Sequence, residues 1–406
     1  MLSFMAKPTS FKCNIRCDYC FYLQKEAFVE PPHGNGLNMA DDVLETFVRK
    51  QVDAGGQDVY FTWQGGEPTL AGLDFYRRAV ALQQACAGGK RIHNAFQTNG
   101  IALDNEWAAF FKEHDFLIGL SLDGDEELHD AYRVTATGRG TFGQVMRAVE
   151  LLKHHGVEFN TLTVVNDRNV KHPLRVYRFL KQIGSTYLQF IPVVETGELD
   201  EQHRPVWFAN KQVEPTPTDF SVDALEYGRF MTAIFDEWAR HDIGTVFVQM
   251  FESLLARFCG FAPSMCIFQK SCGGANLAIE ANGDVYSCDH FVYPEHLIGN
   301  IKTHTLTQIG AATAPLSARK DALNRQCSAC PWVELCNGGC PKHRFVRNAD
   351  GERHNYFCGA YEHIFSHLTP ALNFMAELKS QGASPALLGQ YFDRIYPAQS
   401  QTPGIP

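Results

Sequence analysis

The sequence lacks several features that mark common classes of protein. No block of Lys and Arg stands out and the net charge is −9 over 406 residues, so nucleic acid is not expected as a partner. No apolar run reaches the ~18 residues that cross a bilayer, so no membrane association is expected. The first residues show no basic segment followed by an apolar one, which argues against a secretory signal. These absences favour a cytoplasmic protein.

Cysteine, by contrast, is abundant. The chain has 13 cysteines, and in a reducing compartment clustered cysteines bind metals more often than they form disulfides. All but Cys86 and Cys259 fall into groups with the spacing of metal ligands. We therefore expect metal centres in a chain whose 45% hydrophobic residues suffice for two or three domains.

The first half of the chain alternates between short β-branched or aromatic runs and amphipathic runs, which predicts parallel βαβ units. Six units indicate an open or partial (β/α)6 barrel, in which chemistry collects at the carboxyl ends of the strands. The predicted strands are Ser3–Ala6, Asp58–Trp63, Asn94–Thr98, Leu117–Leu122, Glu158–Val165 and Tyr187–Val193. The predicted helices lie near 40–54, 73–87, 104–114, 141–155 and 173–183.

The remaining chain predicts three further parts. The barrel is expected over residues 1–220, ending in a polar, Pro-rich loop, and 221–258 reads as a helical linker. Cysteines, glycines and hairpin signals, including Asn282-Gly283-Asp284, predict a small α+β domain over 259–365 that metals hold together. Residues 366–406 are expected to form a C-terminal helix and tail. The predicted class is therefore α/β with a second, cysteine-rich domain.

The first cysteine group is Cys13, Cys17 and Cys20, spaced C-x3-C-x2-C after the first predicted strand. Three thiolates can hold three corners of a [4Fe–4S] cluster and leave its fourth iron open for a substrate, as a catalytic zinc keeps one open position. The alternative is half of a zinc site that a distant ligand completes. Tyr19 and Tyr22 would shield a cluster from water, which favours the first interpretation.

The second motif is Gly65-Gly66-Glu67-Pro68, directly after the second predicted strand. A lone Gly-Gly turn is weak evidence, because glycines at strand ends commonly just make turns. Together with the cysteine triad, however, the pair of motifs resembles that of radical S-adenosylmethionine (SAM) enzymes. The resemblance implies that the glycine-rich stretch holds the amino group of the SAM methionine, while its amino and carboxylate groups chelate the open iron.

Eight further cysteines follow in the second half of the chain. Eight thiolates can complete two four-cysteine sites, and such sites suit zinc as well as iron–sulfur clusters, so their spacing alone leaves both readings open. After the first two motifs, the arrangement resembles the SPASM domain, which carries two auxiliary [4Fe–4S] clusters. The resemblance pairs Cys266, Cys272, Cys288 and Cys340 in one site, and Cys327, Cys330, Cys336 and Cys358 in the other.

Over nearly the whole chain the sequence resembles the anaerobic sulfatase-maturating enzymes. Beyond the cysteines, the resemblance is carried by Phe61–Leu70, Gln97–Gly100, Gly119–Gly124, Tyr132–Val134, Gln189–Pro192, Cys288–His290 and Gly338–Lys342. It implies an enzyme that oxidises one Cys or Ser of a sulfatase polypeptide to Cα-formylglycine (3-oxoalanine). It also implies three [4Fe–4S] clusters and SAM as cofactors.

In the mechanism that the resemblance implies, the N-terminal cluster passes an electron to SAM, and the resulting 5′-deoxyadenosyl radical takes a Cβ hydrogen from the target residue. Asp289 would be the base that removes the thiol or hydroxyl proton, and an auxiliary cluster would accept the last electron. The implied SAM contacts are Gly65, Gly66 and Glu67 at the methionine, Ser121 and Arg133 at the ribose and carboxylate, and Tyr19 and Val194 at the adenine and backbone. Tyr22 and Gln64 are expected to point toward the substrate.

The expected partners are a sulfatase polypeptide and an electron donor such as flavodoxin or ferredoxin. Two alternatives remain at this stage. One is another peptide-modifying SPASM enzyme, for example one that forms thioether crosslinks. The other is a non-enzymatic electron carrier or a zinc-stabilised interaction protein, which would not turn over SAM. The sequence does not choose between a Cys and a Ser target, nor does it give the oligomeric state.

Overall fold

The fold was analysed in a computed structural model that describes residues 2–29, 36, 38–199, 215–274 and 276–397. Most of the predicted Pro-rich loop and the end of the predicted tail lie outside these ranges. No helix among the described residues is long and apolar enough to cross a membrane.

The strands follow the predicted alternation of buried and exposed side chains. In the second strand, for example, Val59, Phe61 and Trp63 are buried while Tyr60 between them is 59% exposed, because successive side chains of a strand point to opposite faces. The strands are β1 Phe4–Ala6, β2 Asp58–Trp63, β3 Arg91–Thr98, β4 Leu117–Ser121, β5 Phe159–Val165, β6 Tyr187–Pro192, β7 Phe247–Val248, β8 Leu277–Ile279, β9 Asp284–Tyr286, β10 Leu297–Asn300, β11 Val346–Arg347 and β12 Arg353–His354.

Ten of these strands form one sheet, in the order β10-β9-β8-β1-β2-β3-β4-β5-β6-β7. Strands β1 to β7 are parallel, as the alternating pattern predicts. The cysteine-rich region extends the same sheet, because β8 pairs in parallel with β1 through Phe4 and Leu277. The hairpin β8–β9 turns at Gly283, whose φ of 89° suits glycine. The barrel and the cysteine-rich region therefore share a continuous sheet.

Helices cover the outer face of the sheet, and their ends follow local signals. Asp104 caps the helix Asn105–Glu113 by accepting a hydrogen bond from the backbone N–H of Trp107, and Gly156 ends the helix Phe142–His155 in the left-handed conformation. The helices are α1 Asp41–Ala54, α2 Leu73–Cys86, α3 Asn105–Glu113, α4 Glu126–Asp130, α5 Phe142–His155, α6 Pro173–Gln182, α7 Ala224–His241, α8 Gln249–Phe258, α9 Leu306–Ala311, α10 Ala314–Asp321, α11 Arg325–Ser328, α12 Val333–Cys336, α13 Cys358–Ser380 and α14 Leu388–Ile395. Short 3-10 helices lie at Leu23–Ala27, Pro68–Ala71, Asn169–Lys171, Cys266–Phe268, Asp289–Phe291, Pro294–His296, Pro341–His343 and Pro385–Leu387.

Two large apolar cores hold these layers together. One lies between the first strands and α1 to α3, around Phe47, Trp63 and Phe96. The other joins the last barrel strands to α7, α8 and α13, around Trp238 and Tyr361. The predicted α/β class, a partial barrel with a cysteine-rich region and a C-terminal helix, is confirmed. The sequence-predicted strands and helices of the barrel recur with small shifts at their ends, the largest at β3, which begins three residues early.

Candidate active site

One cavity of about 440 Å³ lies at the carboxyl ends of the strands, between the barrel and the cysteine-rich region. This is the edge at which parallel sheets place their chemistry. From the barrel side it is lined by the loop after β1 and by the ends of β2, β4 and β6. From the other side it is lined by the segments around Cys266, Cys288 and Cys340. The two halves of the chain thus enclose one space.

Cys13, Cys17 and Cys20 all line this cavity and are free thiols. Burial raises the pKa of Cys13 to about 11 and that of Cys17 to about 12. A cation counters this effect at Cys17, because the Arg133 Nη1 lies 3.9 Å from its Sγ. Protonated thiols would release their protons when iron binds, since thiolates are the ligands.

The glycines of the second motif dock the cysteine loop onto the sheet. The Gly66 N–H donates to the Ser10 carbonyl at 2.8 Å, and the Glu67 N–H donates to that of Lys12 at 2.9 Å. A Cβ on Gly66 would come within 2.1 Å of the Lys12 carbonyl oxygen. Only glycine therefore fits at position 66, because the backbone of Lys12, the residue before Cys13, leaves no room for a side chain. Gly65 and Gly66 also line the cavity, where their backbone can face a ligand.

The variant G66A should consequently lose stability and iron from the N-terminal site. A methyl group forced against backbone typically costs about 1–3 kcal/mol, and displacement of the Lys12 segment would move Cys13. Gly143 provides the control, because it lies in a helix with nothing within 4 Å of an added Cβ, so G143A should stay within about 1 kcal/mol of the parent. Denaturant unfolding and iron content measure both effects, and equal behaviour of the two variants would contradict this reading.

Glu67 is fully buried and is absent from the described cavity wall. Its carboxylate accepts hydrogen bonds from the backbone N–H groups of Thr69 and Asn99 and from the hydroxyls of Thr69 and Thr98. Burial raises its pKa, and these four donors oppose the increase. The side chain therefore ties the end of β3 to the glycine motif. Within the protein these bonds give Glu67 a positioning role, and the SAM contact that the resemblance implies for it stays a prediction.

Arg133 and Tyr19 meet on a residue that the sequence reasoning did not single out. The fully buried Asp123 accepts hydrogen bonds from the Arg133 Nε at 2.9 Å and from the Tyr19 hydroxyl. It also accepts one from the backbone N–H of Val164 at 2.9 Å. Asp123 thus fixes both predicted SAM contacts beside Cys17. In the sequence it was one residue of the segment Gly119–Gly124, at the end of the fourth predicted strand, with no role of its own.

Ser121 and Val194, the remaining predicted SAM contacts, also line the cavity, at the ends of β4 and β6.

At the ends of β1 and β2, Lys7 contacts both predicted substrate contacts, Gln64 and Tyr22. Its buried Nζ donates to the Gln64 Oε1 at 2.8 Å and lies 4.5 Å from the centre of the Tyr22 ring. The Tyr22 hydroxyl in turn donates to Glu280, which is fully buried. Desolvation lowers the pKa of Lys7, whereas Asp289 and Glu280 act to raise it. Lys7 and Glu280 were not predicted, because a lone Lys after β1 and a lone Glu after β8 carry no motif.

Asp289 is 9% exposed and lines the cavity beside Cys288. Burial opposes its ionisation, but the neighbouring His290, Lys7 and Lys342 and a hydrogen bond from the Cys288 thiol together hold its pKa below the usual range. His290 stacks on Phe21 with 5.0 Å between ring centres, which agrees with a packing role. An ionised carboxylate therefore faces the space between the two sets of cysteines.

The structure separates the eight later cysteines into two sets. Where one of these cysteines shifts the pKa of another, both belong to the same predicted set. This grouping agrees with the pairing that the resemblance implies, and the ligand assignment stays a prediction. The first set lines the cavity and the second does not. The first set is Cys266, Cys272, Cys288 and Cys340, and the second is Cys327, Cys330, Cys336 and Cys358.

These free thiols suit iron–sulfur clusters better than single zinc ions. Four thiolates around a zinc would have to lie about 2.3 Å from one common point. Among the residues that the structure describes, no three or more His, Cys, Asp or Glu side chains converge in a way that could hold one metal ion. The first set instead lines the cavity, and at the N-terminal triad the buried Arg133 guanidinium lies beside the Cys17 thiol. The donor set thus fits anionic clusters.

Comparisons with known proteins agree with this geometry. Residues 8–180 match the model of the radical SAM superfamily, and residues 266–331 match that of the iron–sulfur cluster-binding SPASM domain. A serine-type anaerobic sulfatase-maturating enzyme of Bacteroides thetaiotaomicron is 42% identical over 93% of this chain and 92% of its own length. The chain belongs to the anaerobic sulfatase-maturating enzymes. The predicted family, the radical SAM enzyme class and the cofactors, three [4Fe–4S] clusters and SAM, are thereby confirmed.

Members of both substrate types are similar to this sulfatase-maturating enzyme. A cysteine-type enzyme of Clostridium perfringens is 32% identical over 91% of this chain and 97% of its own length. The solved structure of anSMEcpe with bound AdoMet and a peptide superposes with a TM-score of 0.80 at 31% identity, covering 93% of this chain and 99% of that one. The similarity spans barrel and cysteine-rich region together, so it includes both walls of the cavity.

Proposed function

We propose that this chain oxidises a Cys or Ser side chain of a sulfatase polypeptide to Cα-formylglycine. The observation that carries the proposal is the single cavity in which Cys13, Cys17 and Cys20 face Asp289 and the first set of later cysteines. Such a space brings a radical source and a base to one substrate side chain. The family to which the chain belongs supports the same reaction.

The residues on the barrel side would hold the cofactors. Cys13, Cys17 and Cys20 would ligate the N-terminal cluster, with Arg133 beside them and Gly65 and Gly66 presenting backbone to SAM. When bound, these groups supply a 5′-deoxyadenosyl radical that removes a hydrogen atom from an unactivated carbon. Tyr19, Ser121 and Val194 would line the rest of the SAM site. Asp123 and Glu67 hold this wall in place from behind.

Asp289 would act as the base. Formation of an aldehyde or thioaldehyde from the target side chain removes a hydrogen atom from Cβ, a proton from the hydroxyl or thiol, and one electron. Asp289 lies on the cavity wall and is flanked by the cations Lys7 and Lys342, which keep it ionised and able to take that proton. Cys266, Cys272, Cys288 and Cys340 would hold the group that takes up the electron. Water then converts a thioaldehyde to formylglycine and releases hydrogen sulfide.

Gln64 and Tyr22 would orient the substrate. Gln64 is fixed from two sides, because it accepts from Lys7 and donates through Nε2 to the Gln97 Oε1 at 2.7 Å. Tyr22 is held by Glu280 and Lys7. Rigid side chains of this kind position a reacting atom with little loss of freedom on binding. A flexible peptide segment could enter the open end of the cavity before its own protein folds.

Two further proposals concern the surroundings of the enzyme. The reductant for the N-terminal cluster would be a low-potential carrier such as flavodoxin or ferredoxin. The enzyme would act in the cytoplasm, where exposed thiols stay reduced. Both follow from the chemistry of the ligands.

The reaction is tested by anaerobic incubation with SAM, a reductant and paired sulfatase peptides that carry Cys or Ser at the target position. We expect each accepted peptide to gain an aldehyde that a hydrazine reagent traps, and 5′-deoxyadenosine to form in equal amount. Mass spectrometry would show loss of sulfur from the Cys peptide and loss of hydrogen alone from the Ser peptide. A crosslinked peptide without a trappable aldehyde would contradict the proposal.

A further inference from the structure

Lys320 is a buried cation between the two sets of cysteines. It belongs to α10 and is 1% exposed. Its Nζ donates to the carbonyl of Ile267 at 2.8 Å and to that of Gly339 at 2.5 Å. These two residues directly follow and precede Cys266 and Cys340, respectively. The ammonium group is therefore fixed against the backbone of the first set.

No carboxylate of the described chain lies within ion-pair distance of Lys320. A buried ammonium group held only by neutral carbonyls is unfavourable, because buried charges require a partner of opposite charge. Desolvation accordingly lowers the pKa of Lys320, and the nearby cation Arg344 lowers it further. The groups that oppose both effects are Cys272 and Cys340 of the first set and Cys336 of the second. The negative charge that would balance Lys320 is thus that of the cysteine thiolates and of the clusters they would ligate.

Arg344 repeats this arrangement nearby. Its guanidinium donates to the backbone carbonyls of Gly338 at 3.0 Å and Asn337 at 3.2 Å, beside Cys336, and to that of Lys320 at 2.8 Å. The guanidinium fits here because residue 338 is glycine: a Cβ on Gly338 would come within 2.5 Å of the Arg344 Nη2. The cysteines that act on it come again from both sets: Cys327, Cys340, Cys336 and Cys272.

We propose that Lys320 and Arg344 form a cationic bridge between the two auxiliary cluster sites and raise the reduction potentials of both clusters. The inference rests on the ligand sets given under the proposed function. A cluster with four thiolates is an anion, and reduction adds one further negative charge. A fixed cation therefore stabilises the reduced state more than the oxidised state, and burial strengthens this effect. The bridge would make both clusters better electron acceptors.

The test is an anaerobic redox titration of the full chain, followed by electron paramagnetic resonance. It is done in the C13A/C17A/C20A background so that only the auxiliary clusters contribute. We expect K320M to lower the ratio of reduced to oxidised cluster at a given potential about tenfold, a shift of about 59 mV to more negative values for a one-electron couple. K320R should stay close to the parent because it keeps the charge.

Lys50 offers a matched control, because its Nζ also donates to two backbone carbonyls, those of Ile301 and His304, at 2.6 and 2.7 Å. K50M should leave both potentials unchanged.

Unchanged potentials in K320M with full iron content, or an equal shift in K320R, would overturn the proposal. If K320M does not retain its iron, the same redox titration is done on R344Q, since Arg344 is partly exposed. Unchanged cluster potentials in R344Q would also overturn the proposal. Iron lost from K320M and R344Q but kept in K320R would support the bridge.

Failure of this proposal is separable from failure of the proposed function. The iron content of the parent chain tests the ligand sets, and the peptide assay tests the reaction. Neither readout depends on the potentials of the variants. Suppose that the parent chain holds all its iron and makes formylglycine, but substitution of Lys320 or Arg344 leaves the cluster potentials unchanged. The proposed bridge would then be wrong, and the proposed function would stand.

Discussion

The triple variant C13A/C17A/C20A is expected to lose all reductive cleavage of SAM. Purified without air, the parent chain should be brown and hold about twelve iron atoms, four for each of three clusters. The variant should retain about eight. The reason is that the three cysteines line the barrel side of the cavity, while the later eight form two separate sets. Removal of the first three thiols leaves both sets complete.

Iron and sulfide analysis and 5′-deoxyadenosine formation measure this result. The matched control replaces Cys86 and Cys259, the two cysteines outside the ligand groups, by Ala. Cys86 ends α2, where the nearest polar contact to its Sγ is the Arg49 Nη1 at 3.8 Å, so this double variant should keep its iron and its activity. If the triple variant kept as much iron as the parent, the assignment of Cys13, Cys17 and Cys20 as ligands would be wrong.

The barrel could be predicted from the sequence because its signals are local. Alternating burial at Val59, Phe61 and Trp63 specifies a strand, and amphipathic runs between strands specify the crossover helices. The carboxyl-end rule then placed the cysteine triad and the glycine motif at one edge of the sheet. The same local signals predicted the hairpin around Gly283.

The position of that hairpin could not be predicted in the same way. Strand β8 pairs with β1 through Phe4 and Leu277, residues far apart in the sequence. A three-residue apolar run in the sequence does not indicate which strand it will pair with. This pairing brings the cysteine-rich region next to the barrel, so the cavity between them depends on a long-range contact.

The candidate site shows a similar division. Cysteines with ligand spacing are visible in the sequence, and so was Asp289 through its place next to Cys288. The buried polar residues that orient them are not visible, because Lys7, Asp123 and Glu280 acquire their roles only through contacts across the fold. Glu67 shows the converse, since its motif is visible in the sequence but the hydrogen bonds that hold its buried carboxylate are not.

The variant D289N is expected to separate SAM cleavage from substrate oxidation. Asn has nearly the shape of Asp but cannot take up a proton at neutral pH, so 5′-deoxyadenosine should still form. Aldehyde should fall by about 100-fold or more, the usual contribution of a positioned base. Asp289 is the carboxylate that lines the cavity next to Cys288, and Lys7 and Lys342 favour its charged form.

The control for this variant is D284N, in the neighbouring strand β9. Asp284 accepts hydrogen bonds from Asn282 and Asn300 and is absent from the described cavity wall, so D284N should make aldehyde at the parent rate. Both products are quantified in one reaction, which separates a lost base from a lost cofactor. If D289N also lost 5′-deoxyadenosine and iron, its carboxylate would be needed to build the neighbouring cluster site. A parent yield of aldehyde would instead remove Asp289 from proton transfer, because no proton could then be passing through its side chain.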